Sequence, residues 1–318
     1  MTKAKTKIVF FGTSDFAVKI LEKISANYNL LLVVTTPDKP TGRKRILTPS
    51  PVKEKARYLK IPIAQPEKIK KNPAFLNQIA KLKPELIIVA AYGKILPPEL
   101  INLPEHGCLN VHASLLPKYR GASPIQTAIL NGDQTTGITI MLMDLGMDTG
   151  DILDQEEINI SDEDTFITTT NKLANLGAKL LHESIPPYLA DSINLKIQND
   201  DKATYCSKIT TEMGQINWAH SAKQINNQIR AIGSTIGAYT TFNKKRLLLL
   251  KSSTHNQIKS EETPVGKVQK CPYDNNCIIV KCGKSALKIL EVQLEGKKPA
   301  KIKEFINGHH DFIGTILK

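Results

Sequence analysis

Long apolar runs are missing from this 318-residue chain. Its longest, such as LIIVAA at 86–91, fall well short of the ~20 residues that cross a bilayer. No membrane span is expected. The start, MTKAKTKIVFFGT, is basic but has no extended apolar stretch and no cleavage site, so no secretory leader is expected either. Cysteine is scarce: there are five, an odd number, with no Cys-x-x-Cys pair. Cys271, Cys277 and Cys282 are separated by five and four residues, which is not a usual zinc-ligand spacing. Free thiols, no bound metal and a cytoplasmic location follow as expectations. Aromatics make up only 5%, and Trp218 and the eight tyrosines are expected in packing rather than as a base-stacking platform. Nucleotide-binding glycine patterns are missing too. The first strand-like run ends FGTSDF rather than Gly-x-Gly-x-x-Gly. Gly283-Lys284-Ser285 lacks the earlier glycine of a P-loop, and no His-Glu-x-x-His occurs.

What is present suits a globular protein of two domains. Hydrophobic residues make up 41% and charged residues 23%, ordinary values that allow a sizeable core. The net charge of +13 is uneven. Residues 1–207 hold 25 Lys and Arg against 22 Asp and Glu, a balance of +3, whereas residues 208–318 hold 18 against 8, a balance of +10. A basic module of that kind suits an anionic partner, nucleic acid first and a membrane surface second.

The first half alternates strand-like and helix-like patterns. KIVFFG (7–12), LLLVVTT (30–36), LIIVAAY (86–92), GCLNVH (107–112) and GITIMLM (137–143) read as strands. Helical stretches are expected near 50–60, 73–82 and 122–131, with a closing helix over 162–185. Apolar strands separated by helices predict a Rossmann-like α/β domain, a mainly parallel sheet with helices on both faces. It should span 1–189. Residues 190–207, polar after a Pro-Pro pair, read as a linker. Over 208–318 one helix (221–232) precedes several short strands, which predicts a small OB-like β-barrel. Asp274-Asn275-Asn276 reads as a hairpin turn there.

Chemistry concentrates in GCLNVHASLLPKYRGASP (107–124). In a strand, residues i and i+2 face the same way, so Asn110 and His112 project together. In open α/β sheets ligands bind beyond the carboxyl ends of the strands, where these two sit. An amide donates to a developing oxyanion and an imidazole accepts or returns a proton. That pair suits acyl transfer, and no Ser or Cys is placed as a covalent nucleophile. DLGMDTGDIL (144–153) follows the next strand and places three Asp among two Gly. Asp148, between Gly146 and Gly150, is the carboxylate expected beside His112.

NVHASLLPKYRGASPIQTAI (110–129) followed by DLGMDTGDIL resembles the folate-dependent formyltransferases. The Asn-x-His, Ser-Leu-Leu-Pro and Asp-x-Gly-x-Asp-x-Gly elements occur in order at the right spacing across nearly forty residues. The resemblance implies Asn110, His112 and Asp148 as catalytic trio and Ser114, Leu115, Leu116 and Pro117 as part of a folate site. 10-Formyltetrahydrofolate would be the co-substrate, with no metal required. FFGTSDFAVKIL, VVTTPDKPTGRKRILTPSPVK (33–53), AAYGKILP (90–97) and KATYCSKIT (202–210) extend the likeness over nearly the whole chain, toward the members that formylate initiator Met-tRNA. The resemblance then implies that the loop carrying Lys39, Arg43, Lys44 and Arg45 enters the tRNA acceptor end, Arg43 leading, and that residues 208–318 hold the tRNA body through phosphates. A monomer is expected. A small-molecule amine is the alternative acceptor. Two departures stand out: Ser14 where a proline is usual, and IGSTIGA (232–238) where the family has an Asn-Pro-Trp-Pro-Gly stretch.

Overall fold

A computed structural model describes residues 5–42, 45–255, 263–271 and 277–318. The chain forms two compact units, one of residues 1–124, 135–159 and 169–207, the other of residues 125–134, 160–168 and 208–318.

The first unit is built on a seven-stranded sheet. Its order is Ile152–Asn159, Thr135–Leu142, Cys108–His112, Leu86–Ala90, Lys7–Gly12, Asn29–Val34 and Ile63–Ala64. The last five strands in that order pair in parallel, and the first two join antiparallel. From Lys7–Gly12 the chain builds one side of the sheet, then crosses to Leu86–Ala90 on the other. That reversal is a topological switch point, where ligand crevices open at the carboxyl ends of strands.

All five residues of Leu86–Ala90 are buried, which requires cover on both faces because successive side chains alternate. Phe75 and Ile79 of helix Pro73–Leu82 pack with Val9, Phe11, Ile87 and Val89 on one face. Helix Phe166–Leu189 lies on the other, where Gly177 meets Val111 and Ile138. Local signals start the helices. Ser50 caps Pro51–Tyr58 by accepting from Lys53 N, and Asn72 caps Pro73–Leu82 by accepting from Phe75 N, each with proline in the first turn.

The closing helix differs from expectation. It runs to Leu189, through Pro186 and Pro187, whereas the sequence reading ends the helix at 185, before the two prolines. Pro186 has no N–H for the His182 carbonyl, and the Tyr28 hydroxyl donates to that oxygen instead at 3.4 Å. Both prolines fall in the last turn, where few intrahelical bonds are lost. Residues 190–207 pack onto the first unit. Lys196 bridges Ile152, and Tyr205–Cys206 pairs in parallel with Arg120–Gly121.

The second unit is an antiparallel sheet in the order Ala238–Phe242, Lys245–His255, Ala286–Leu294, Ile278–Lys281 and Val268–Lys270, with Ala300–Lys301 also on Ala286–Leu294. Helix Ala222–Ile232 opens with a capping box between Ser221 and Gln224. Ile225 and Ile229 enter a core with Phe242, Leu249, Ile289 and Phe312. Trp218 is buried there and donates to Thr240 at 3.1 Å, a packing role as expected. Through the divergent 232–238 stretch, Gly237 N donates to Ile232 O, and Gly237 sits at φ +83° against Leu248.

One cysteine expectation is overturned. Cys271 and Cys277 form a disulfide, whereas Cys108, Cys206 and Cys282 are buried. Lys270 pairs with Ile278 across an antiparallel ladder, so the next residue pair faces at a Cα separation of 5.2 Å, within reach of a bridge. The hairpin supplies this proximity, and the linear spacing hides it. The turn expected at 274–276 lies outside the described residues. Among the described residues no helix is long and apolar enough to cross a membrane.

Candidate functional site

The strand Cys108–His112 is where parallel pairing gives way to antiparallel, between Leu86–Ala90 and Thr135–Leu142. Asn110 and His112 share the face of buried Cys108, which belongs to the core cluster with Ile87 and Val89. His112 is 5% exposed. The Asn110 side chain is half-buried and has no hydrogen-bond partner among the described residues. It therefore keeps its donors available.

The loop after Thr135–Leu142 brings in the carboxylate. Leu142 N donates to Asp151 O and Met143 N to Cys108 O, which folds the loop back on the strand. Asp144 holds its first turn, accepting from Gly146 N at 3.0 Å and Thr149 Oγ1 at 2.8 Å. Asp148 sits in the left-handed region at φ +56°, a conformation Asp tolerates better than most residues. Its Oδ1 lies 3.6 Å from His112 Nδ1. Its Oδ2 accepts from Gly121 N at 2.8 Å. His112 Nε2 faces the Tyr119 carbonyl oxygen at 3.0 Å. A carbonyl only accepts, so Nε2 carries the hydrogen. A neutral ring then leaves Nδ1 bare, and a proton taken up there faces Asp148.

The Ser114–Pro117 segment is held from inside. Thr139 Oγ1 donates to Ser114 O at 2.7 Å and accepts from Leu116 N at 3.0 Å. Gln155 Nε2 donates to both Leu116 O and Thr139 Oγ1 at 2.8 Å. Ser114 is buried and donates to Lys118 O at 2.6 Å, and Leu116 packs with Met141 and Ile152. Leu115 and Pro117 remain partly exposed.

The basic loop is a short hairpin. Lys39–Thr41 pairs antiparallel with Ile46–Thr48. Lys39 is exposed, as is Arg45 at φ +49°; Arg43 and Lys44 lie outside the described residues. Asp38 roots the hairpin, accepting from Lys53 Nζ at 2.7 and 2.8 Å and from Gln65 Nε2 at 2.8 Å. The Lys53 and Gln65 hydrogen bonds hold the Asp38 carboxyl below its ordinary pKa. Ile46 and Leu47 are exposed apolar side chains on the same hairpin.

Several residues around the trio carried no signal of their own in the sequence. Gln198 Nε2 donates to Asp148 O at 2.9 Å and to Gly150 O at 2.7 Å. Arg120, 2% exposed, donates to Gln198 and to Asp200. Burial of Arg120 works against its charge, but its hydrogen bonds to Asp200 and Tyr205 more than offset this and raise its pKa. Arg120 and Gly121 stand in the conspicuous 107–124 stretch. Gln198 stands in a polar run with no motif. Among the described residues no group of three or more His, Cys, Asp or Glu is placed to hold a metal ion.

Comparison with known proteins extends over nearly the whole chain. The family model described as formyl transferase matches residues 6–185, and that described as formyl transferase, C-terminal domain, matches residues 208–310. The methionyl-tRNA formyltransferase of Caldanaerobacter subterraneus subsp. tengcongensis is 47% identical over 98% of this chain and all of its own length. That of Bacillus subtilis is 41% identical over 98% of each. Among solved structures, an N-formyltransferase from Helicobacter canadensis in complex with folinic acid and dTDP-3-aminofucose superposes with a TM-score of 0.64. It is 21% identical and covers 90% of this chain and 98% of its own, so it attests the fold.

Proposed function

From the premise that the chain belongs to the formyl transferase family, we propose that it transfers the formyl group of 10-formyltetrahydrofolate to the methionine α-amino group of initiator Met-tRNA. The product is N-formylmethionyl-tRNA for translation initiation, made in the cytoplasm by a monomeric enzyme. The observation that carries the chemistry is the unpartnered Asn110 amide on the same strand face as His112, with Asp148 beside the imidazole. The acceptor is argued from the near-full-length relatives, both named for methionyl-tRNA. It is argued also from the +10 balance of residues 208–318.

Each residue has a task. The α-amine has an ordinary pKa of ~7.7–8.0, so a neutral fraction attacks the formyl carbon directly. A carbon–nitrogen bond forms to the methionine nitrogen, and the bond to the folate nitrogen breaks. Asn110 donates to the oxyanion that develops between these events. His112 Nδ1 takes the proton the amine loses, and Asp148 faces the imidazolium that results. The folate nitrogen leaves with a proton returned to it. Leu115 and Pro117 offer apolar surface to the folate, and Ser114 and Leu116 shape the segment from within. Lys39, Arg43, Lys44 and Arg45 meet the acceptor end of the tRNA.

The test is formyl transfer to charged initiator Met-tRNA, run beside free methionine, uncharged tRNA and a nucleotide-linked amino sugar. Product on the charged tRNA alone is expected; product on the sugar amine would move the assignment to a small-molecule acceptor. Asn110→Ala should lower kcat by ~10²–10³-fold, the range for loss of one oxyanion donor. His112→Ala should cost ~10²–10⁴-fold. Turnover within twofold of wild type in either variant would refute its role.

A further inference from the structure

Asp148 must hold a fixed place to face His112, yet its own loop does not explain how. At 3.6 Å its Oδ1 is beyond hydrogen-bond distance of the ring, so the imidazole does not anchor it. The residue sits at φ +56° in a loop whose Asp144 side chain, among the described residues, accepts from Gly146 and Thr149. What fixes Asp148 comes from residues 120–121 and from the segment after helix Phe166–Leu189.

Gln198 is 7% exposed. Its side-chain amide has two hydrogens and two acceptor sites, and all four are used. The hydrogens go to Asp148 O and Gly150 O at 2.9 and 2.7 Å. The oxygen accepts from Arg120 Nε and Nη2 at 3.1 and 2.8 Å. Arg120 is held in turn by Asp200 at 2.7 Å and by its own N–H to Thr204 O at 2.8 Å. The next residue, Gly121, gives its N–H to Asp148 Oδ2 at 2.8 Å. The Asp148 carbonyl and carboxylate are thus gripped by one continuous network, Gln198 on the backbone and Gly121 on the side chain. With Gln198 and Arg120 buried, water replaces a lost partner there poorly.

We propose that Gln198 is a positioning residue for formyl transfer: it sets the Asp148 carboxylate against His112 without touching substrate. Arg120 fixes the amide's orientation, so that the donating end points at the loop. A carboxylate at position 198 would still bind Arg120 but would face two carbonyl oxygens with no hydrogen to give. This rests on the formyl-transfer function proposed above, and the experiment separates the two.

Full-length wild type, Gln198→Ala and Gln198→Glu are assayed with 10-formyltetrahydrofolate and initiator Met-tRNA, each also on an Asp148→Asn background. Exchange of the Gly121 amide proton is followed in parallel. Gln198→Ala should lower kcat ~10–100-fold, the scale of a small misplacement of a reacting group. Both KM values should stay within twofold. On the Asp148→Asn background the same change should alter kcat less than threefold, because its effect passes through Asp148. Gly121 amide exchange should quicken at least tenfold. An unchanged kcat, an equal fall on both backgrounds, or unchanged Gly121 exchange would overturn the proposal. If Gln198→Ala fails to fold, Gln198→Glu, which keeps the chain length and the Arg120 contact, decides by the same criteria. If the wild type makes no product, the functional assignment fails, and the exchange measurement still decides whether Gln198 positions Asp148.

Discussion

Gly150 shows how little freedom single residues have around the trio. A Cβ there would lie 1.8 Å from the Leu142 carbonyl oxygen, a backbone atom that cannot swing aside. Gly150→Ala must therefore push the loop away from the strand, carrying Asp148 with it. The expected result is a ~10–100-fold loss of kcat and ~1–3 kcal/mol of stability, read by steady-state kinetics and thermal melting. Stability lost with kcat retained would mean that the loop position does not matter to the chemistry. At this scale the placement of Asn110 and His112 on one strand face, and a carboxylate in the loop beside them, was legible because the strand period and the glycine spacing are local patterns. Gln198 was not. Its partners lie 48 and 50 residues away for Gly150 and Asp148, and nothing local marks a glutamine that has four distant hydrogen bonds to make.

Among the elements, the Lys39–Thr41 and Ile46–Thr48 hairpin is the one with little core of its own. Its strand residues are exposed apart from Thr48, and it is rooted through Asp38 on Lys53 and Gln65. A hairpin that packs on little, with Lys39 and Arg45 solvent-facing, is suited to meet a partner. Reversing both charges, Lys39→Glu with Arg45→Glu, should raise KM for initiator Met-tRNA about tenfold or more, since like charge now faces phosphate. KM for the folate should be unchanged. Equal effects on both substrates would place the hairpin's role elsewhere. Five strands of the seven-stranded sheet were visible from their apolar runs, whereas the short Ile63–Ala64 and the largely polar Ile152–Asn159 were not. The end of helix Phe166–Leu189 was not, because a Pro-Pro pair predicts a break. What tolerates it is a hydroxyl from Tyr28, 154 residues away.

For the whole molecule, charge is the quantity that matters most. The excess lies in residues 208–318, where Lys251, Lys284, Lys297 and Lys298 are exposed. If these lysines hold phosphates, kcat/KM for the charged tRNA should fall by about one to three orders of magnitude between 50 and 200 mM salt, as counterion release predicts for several contacts. The folate KM should barely move. A flat salt dependence would identify the charge as ordinary solvated surface. The division into units was only partly readable. Residues 190–207 belong with the first unit and 125–134 and 160–168 with the second, because spatial contact, not sequence adjacency, groups them.

The sequence by itself determined the alternating α/β pattern, the strand that presents Asn110 and His112, the glycine-rich carboxylate loop and the basic final third. These follow from periodicity, steric demands of glycine and a count of charges, all local or additive properties. The tertiary structure alone decided the 3.6 Å geometry of the Asp148–His112 approach that the sequence led one to expect, and that Arg120 and Gln198 stand behind it. It also decided that Ser114 and Leu116 turn inward and that Cys271 pairs with Cys277. Those outcomes depend on which distant groups are brought within 3 to 6 Å by sheet order and strand register, information that the chain carries only once its core has packed.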